Sequence, residues 1–240
     1  MAIFAISDLH LSFDKPVDPN DWSGASQHKP MDIFGGDWTE HYRKIYDNWH
    51  RTIDTKDIVL MPGDISWAMR LADAVYDLEF LSFLPGSIIG VQGNHDYWWQ
   101  SISKVRATLP DNTKLLQNDH VLIGTTAVCG TRGWVCPNDS FFGENDEKIF
   151  RRELMRLDNS LKSIMSPVDD IIVMMHYMPT NDKHEKSAFI EIMQQYRVST
   201  VVYGHLHAKA RKYKLPDQMW GINFRLVSAD FLNFAPLLIK

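Results

Sequence analysis

Five short apolar runs in this 240-residue chain each stop at a polar cluster, and that pattern limits the possible folds more than any other feature. Residues 3–6 stop at Ser7-Asp8-Leu9-His10, 57–61 at Pro62-Gly63-Asp64, and 88–91 at Gln92-Gly93-Asn94-His95-Asp96. Residues 171–175 run into His176, and 200–203 into Gly204-His205-Leu206-His207. Short, nearly continuous apolar runs are the pattern of strands buried on both faces. Helical spacing lies between the first three, with Trp38, Tyr42, Ile45, Trp49 and Ile53 over 38–53 and Leu71, Val75, Leu78 and Leu81 over 68–83. Strand and helix alternating at this spacing predict β-α-β units, a largely parallel sheet and the α/β class.

The rest of the chain is read the same way. Residues 98–109, 145–163 and 186–196 carry helical patterns, while 114–117, 121–125 and 127–130 read as short strands in a meander. Residues 209–214, 223–228 and 236–239 read as closing antiparallel strands, and 11–36 as a long loop rich in Pro, Asp, Asn, Ser and Gly. No repeat or linker divides the chain, so one domain over 1–240 is expected, with loop 11–36 placed to cover the strand ends it leaves from.

Composition narrows the function classes. A net charge of −5 gives no general basic field for long nucleic acids or anionic membranes. No run approaches the roughly 20 apolar residues of a membrane span, and residues 1–7 lack the basic region and cleavage site of a signal peptide. Cys129 and Cys136 are the only cysteines and lack zinc-knuckle spacing, so ordinary thiols in a reducing cytoplasm are expected.

In open α/β sheets ligands bind beyond the carboxyl ends of the strands. Five strand ends on one edge would gather Asp8, His10, Asp64, Asn94, His176, His205 and His207, with His95 beside Asn94. Taken singly these residues read as turns, caps or a core histidine; together, each at a strand end, they read as a site. Imidazole nitrogen with carboxylate and amide oxygen suits Zn, Mn, Fe or similar ions, and the set is too large for one ion.

The ordered series Asp-x-His, Gly-Asp, Gly-Asn-His-Asp, a lone His and Gly-His-x-His resembles the calcineurin-like metallophosphoesterase superfamily from Asp8 to His207. Segments 63–68, 93–99 and 130–134 are similar to a bacterial branch of uncharacterised phosphohydrolases. The resemblance implies a two-sheet α/β sandwich flanked by helices, with the site at the carboxyl ends of the strands. It implies that Asp8, His10, Asp64 and His207 hold one divalent ion and Asp64, Asn94, His176 and His205 a second, with Asp64 bridging. A hydroxide shared by the ions would attack phosphorus in line, and His95 would serve the leaving group as general acid or hydrogen-bond donor. Many relatives read Gly-Asp-x-x-Asp, the second Asp orienting the equivalent of His95; here Trp67 stands in that place. Asp96 is then either a substitute orienting group or a turn and cap residue.

Around this set, Arg132 reads as a phosphate contact or an ion-paired surface residue, Tyr97-Trp98-Trp99 as a stacking rim or packing anchors, and Asp182-Lys183-His184 as a polar loop near the site. The substrate contacts singled out are Arg132, His184 and Trp98. The expected activity is a cytoplasmic two-metal phosphoesterase, phosphatase or phosphodiesterase, acting on a small phosphorylated substrate such as a nucleotide. A nuclease and a non-hydrolytic metal-binding scaffold of the same fold are the alternatives.

Overall fold

In the computed structural model, which describes residues 1–240, two sheets pack face to face with helices on both outer sides. In the first sheet β1 (Ile3–Ala5), β2 (Ile58–Pro62), β3 (Ser87–Val91) and β4 (Thr113–Leu115) run parallel. The second sheet comprises β5 (Val121–Ile123), β6 (Thr126–Thr131), β7 (Asp170–Met175), β8 (Thr200–Tyr203), β9 (Gln218–Met219) and β10 (Ile222–Leu226), in the order β5-β6-β7-β8-β10-β9. Its four central strands are parallel and its edges, β5 and β9, antiparallel; β11 (Leu237–Leu238) returns to pair antiparallel with β1.

Each central strand alternates between two cores, which is why its sequence reads as continuously apolar. In β2, Val59 and Met61 join the core under α1 (His41–Thr52), α2 (Val75–Ser82) and α3 (Ile102–Arg106), while Leu60 faces the other sheet. In β7, Ile172 and Met174 point between the sheets, while Ile171, Val173 and Met175 pack under α4 (Asp146–Lys162) and α5 (Ala188–Gln195). Removing such side chains from water is the main force holding the layers together. No helix is long and apolar enough to cross a membrane.

Four sequence expectations are corrected. Residues 68–74 are not helical, because Trp67 N–H donates to Leu11 O at 2.8 Å and Ala68 N–H to Ser66 Oγ at 3.0 Å; α2 begins only at Val75. Residues 208–213 form a 3₁₀ turn, with Ala210 N–H donating back to His207 O at 2.8 Å; their charged-apolar alternation imitated a strand. The 114–130 region is not a meander: β4 extends the first sheet, and β5 and β6 form a hairpin in the second. Finally, β10 pairs parallel with β8, which brings its carboxyl end to the same edge as the other clusters. There Ser7 N–H donates to Val227 O at 2.8 Å and Ala229 N–H to Ser7 O at 3.0 Å, joining the two sheets at the site edge.

Candidate metal centre

The strand ends converge as the topology requires, and the backbone is bent sharply to do it. Asp8, His10, Asp64 and His205 all have positive φ, between 47° and 70°. Such conformations cost non-glycine residues about 1–3 kcal/mol each and persist where surrounding bonds over-determine them. At the Asp64 turn Asp96 supplies those bonds. Its carboxylate accepts from the backbone N–H of Asp64 (3.0 Å), Ile65 (2.9 Å), Ser66 (3.1 Å) and Gly93 (2.7 Å), and from Trp98 Nε1 (3.0 Å). Asp96 is therefore the clamp of the turn, and its oxygens are committed away from His95. The glycines are there for close approach: a Cβ on Gly93 would collide with the Asp64 carboxylate, and one on Gly204 with Ser7 and Asp8.

Two groups of donors result, Asp8–His10–His207 and Asp8–Asp64–His176, with ligand atoms within 4.8 Å of one another in each. Asp64 Oδ2 lies 3.8 Å from His10 Nε2 and 3.3 Å from His176 Nε2, so one oxygen addresses both groups. Asn94 Oδ1 joins the second group 2.6 Å from His176 Nε2. The His205 ring lies beside His176, 5.0 Å between centroids, and against Tyr177 at 4.1 Å; its backbone N–H is 3.2 Å from each Asp8 oxygen.

In His176 and His207 the second ring nitrogen is also committed. His176 Nδ1 donates to Pro62 O at 3.0 Å, which directs its Nε2 at Asn94 and Asp64. His207 has Nδ1 2.8 Å from Asp230 Oδ1 and Nε2 3.0 Å from Asp8 Oδ1. Asp230 also takes Arg211 Nη2. Such outer partners fix the tautomer and raise the basicity of metal-ligating histidines. Sequence reasoning missed Asp230: it lies four residues beyond β10, and only the parallel pairing of β10 with β8 brings it to the site edge.

The charges fit a cation site. Burial would raise Asp8 and Asp64, but His207, His176 and His10 around Asp8, and His176 and His10 around Asp64, hold both below the usual carboxylate range. His207 would be lowered by burial, yet Asp8 and Asp230 push it up to about 10; His176 rises for the same kind of reason, through Asp64. His10 and His205 are pushed down to about 3, chiefly by burial. Protons thus balance buried carboxylates where a cation would compete for the same atoms. The residues fit divalent ions: oxygen and imidazole donors face one another, and His10 Nδ1 is buried without a partner.

Around this centre, Trp67, three residues beyond Asp64, packs against two histidines. Its ring stacks on His10 (4.7 Å between centroids, 18°) and lies 4.2 Å from His95, while Lys29 Nζ sits 3.1 Å over it. Trp67 Nε1 donates to Met31 Sδ at 3.0 Å, and Trp38 lies 5.9 Å from both His10 and His207. Lys29, Met31 and Trp38 therefore pack against this side of the site. His95 N–H donates to Asp64 Oδ1 at 2.8 Å; its Nδ1 is unpartnered, and burial lowers its pKa.

The substrate contacts drawn from sequence are placed differently. Trp98 is fully buried and tied to Asp96, so it cannot form a rim; Tyr97, 55% exposed and 6.0 Å from the His95 ring, occupies that position. Arg132 pairs with buried Glu153 (3.4 Å) and lies 4.5 Å over the Trp134 ring. His184 Nε2 donates to Tyr213 O at 2.8 Å, bracing the 208–213 turn. Cys129 and Cys136 are buried free thiols, pushed up to about 12 by burial.

Comparison with known proteins agrees with this geometry. The sequence model of the calcineurin-like phosphoesterases matches residues 1–209. Among solved structures, a phosphopantetheinyl hydrolase from Mycobacterium tuberculosis superposes with a TM-score of 0.55 at 12% identity, over 99% of this chain and 95% of that one. A protein of unknown function from Aquifex aeolicus gives a TM-score of 0.50 at 13% identity, with the same coverage. At such identities the likeness is one of fold. No curated protein matches the sequence.

Proposed function

The chain belongs to the calcineurin-like phosphoesterase family, and from that premise we propose that it hydrolyses a phosphomonoester or phosphodiester with two divalent ions held at the strand ends. The observation that carries this reading is Asp64 Oδ2 set between His10 of one donor group and His176 of the other, with Asp8 common to both groups. Asp8, His10, Asp64 and His207 would hold one ion, and Asp64, Asn94, His176 and His205 the other. When bound, such a pair supplies Lewis acidity to the phosphoryl oxygens and lowers the pKa of the attacking water.

The chain's own residues do the rest. Pro62 O and Asp230 orient His176 and His207 so that their Nε2 atoms face the carboxylates. Asp96 holds the Asp64 turn, and the Trp67–Trp38 wall keeps water from the His10 side. His95 stands beside Asp64 with no carboxylate bonded to its ring, since Asp96 is committed to backbone N–H groups. Its role is to donate a hydrogen bond to the oxygen that leaves phosphorus. Water adds to phosphorus, the ester P–O bond breaks, and the alcohol departs with a proton. The wall built by Lys29, Met31, Trp38 and Trp67 favours small substrates over phosphoproteins.

The test is hydrolysis of p-nitrophenyl phosphate and bis(p-nitrophenyl) phosphate by protein loaded with Mn, Co, Ni or Zn. Metal-dependent release, abolished by a chelator and restored by the ion, is expected. No turnover of either ester with two ions bound would overturn the reading.

A further inference from the structure

Beside the metal centre lies a cleft of about 230 Å³ that shares His205 and Tyr177 with it. That is just under the roughly 300–1,000 Å³ of sites for drug-sized ligands, room for one flat ring system and not for an extended polymer. Its walls are largely apolar and aromatic: Phe141, Tyr177, Leu206 and Tyr213 line it, together with Asp139 and Asp182, and no Lys or Arg does.

Three chain segments are tied around it, so the cleft is built rather than incidental. Ser140 Oγ donates to Asp182 Oδ2 at 2.5 Å, Asp182 N–H to Asp139 Oδ2 at 2.9 Å, and Asn181 Nδ2 to Pro137 O at 3.1 Å. His184 fastens the same loop to Tyr213. Two features of the lining call for a ligand. Phe141 remains 78% exposed, an aromatic face turned to solvent at the mouth of an apolar cleft. Asp182 Oδ1 is buried without a hydrogen-bond partner, although Oδ2 is satisfied. A carboxylate oxygen so placed carries a desolvation cost that an N–H donor would relieve once the side chain turns it toward the cleft.

We propose that this cleft binds the alcohol part of the substrate, and that this part carries a nucleobase-like heteroaromatic ring, stacked on Phe141 or Tyr213 with its N–H groups donating to Asp182. The inference rests on the phosphoesterase reading for the position of the phosphate. The chemistry selects among alcohols. A sugar phosphate or glycerol phosphate offers no face for the aromatic walls. A second anionic group would meet Asp139 and Asp182 without a compensating cation. A quaternary ammonium could sit among the aromatics but has no N–H for Asp182.

The first experiment is direct binding of adenosine and guanosine to the metal-free full-length protein by calorimetry or saturation-transfer NMR, with ribose and choline as comparison ligands. Saturable binding of a nucleoside, with none of ribose or choline, is expected. Phe141→Ala should weaken it by roughly 5- to 150-fold, the range for losing one base–aromatic stack. Asp182→Asn, which still accepts from Ser140, should weaken the nucleoside with more ring N–H donors the more. The second experiment compares kcat/KM for a nucleoside 5′-phosphate with that for ribose 5-phosphate in the metal-loaded enzyme. A ratio well above ten in the wild type that falls toward one in Phe141→Ala is expected. Absence of nucleoside binding, binding of choline instead, or a wild-type ratio near one would overturn the proposal. Nucleoside binding without hydrolysis of any ester would instead remove the phosphoesterase reading and leave the cleft assignment standing.

Discussion

Asp230→Asn offers a sharp test of how the metal centre is supported, because it changes no ligand atom. In the wild type one carboxylate serves two donors: Oδ1 lies 2.8 Å from His207 Nδ1, and Oδ2 takes Arg211 Nη2. An amide has a single oxygen. If that oxygen keeps His207, the NH₂ faces the Arg211 guanidinium, donor against donor; if it turns to Arg211, the NH₂ faces His207 Nδ1–H and the ring loses its acceptor. Either way the imidazole is less basic and less well aimed at the site containing Asp8. Loss of such an outer partner typically costs about 10- to 100-fold in metal affinity, which is about 1.4–2.8 kcal/mol. Titration of the metal-free protein against a chromogenic chelator should show one site weakened by that factor and the other much less. The substitution is isosteric, and the melting temperature of the metal-free variant separates a local effect from misfolding. Unchanged affinity at both sites in a folded variant would refute the argument that Asp230 orients His207.

Further outcomes are expected elsewhere. Replacing His95 with Asn should slow hydrolysis of alkyl esters by about 10²–10⁴-fold while changing p-nitrophenyl esters far less; equal losses for both would make His95 a positioning residue. Asp77, buried against Ser66 and Phe13 N–H, is pushed up to about 7, chiefly by burial. The folded chain then keeps a proton that the unfolded chain releases near pH 4, so this group's contribution is fullest below that pH. Stability falls as pH rises toward 7, by on the order of 4 kcal/mol at most. Denaturant titrations from pH 4 to 7 should show this fall reduced in Asp77→Asn, and an identical slope in the variant would contradict the assignment. Gly93→Ala should displace the Asp64 carboxylate and lower metal content, measured by elemental analysis; full occupancy would mean the backbone approach is less tight than it is here.

The strands and most of the site were legible because both rest on short-range rules. A strand buried on both faces is continuously apolar, and its carboxyl end shows as an abrupt polar cluster, so β1, β2, β3, β7 and β8 could be read with their Asp, Asn and His residues. What escaped depends on pairing between distant segments. Asp230 reaches the site only because β10 lies parallel to β8, a register that nothing local in residues 222–230 discloses. Trp98 looked like a rim aromatic until Asp96, gathering backbone N–H groups from residues 64–66, drew its Nε1 into the core. The 208–213 turn has strand-like alternation, but its Ala210 N–H bonds locally to His207. The departure at Trp67 was visible in the sequence; that its ring would fill the space between His10 and His95 was not.

The central claim is that Asp64 joins two cation sites into one centre, and metal stoichiometry measures it most directly. Metal-free protein titrated with Mn or Zn and examined by native mass spectrometry should take up two ions per chain. Asp64→Asn, which keeps the shape but removes the shared charge, should weaken both together and abolish phosphoester turnover. Binding of a single ion by the wild type, or an Asp64→Asn protein that retains two ions and full turnover, would contradict the account.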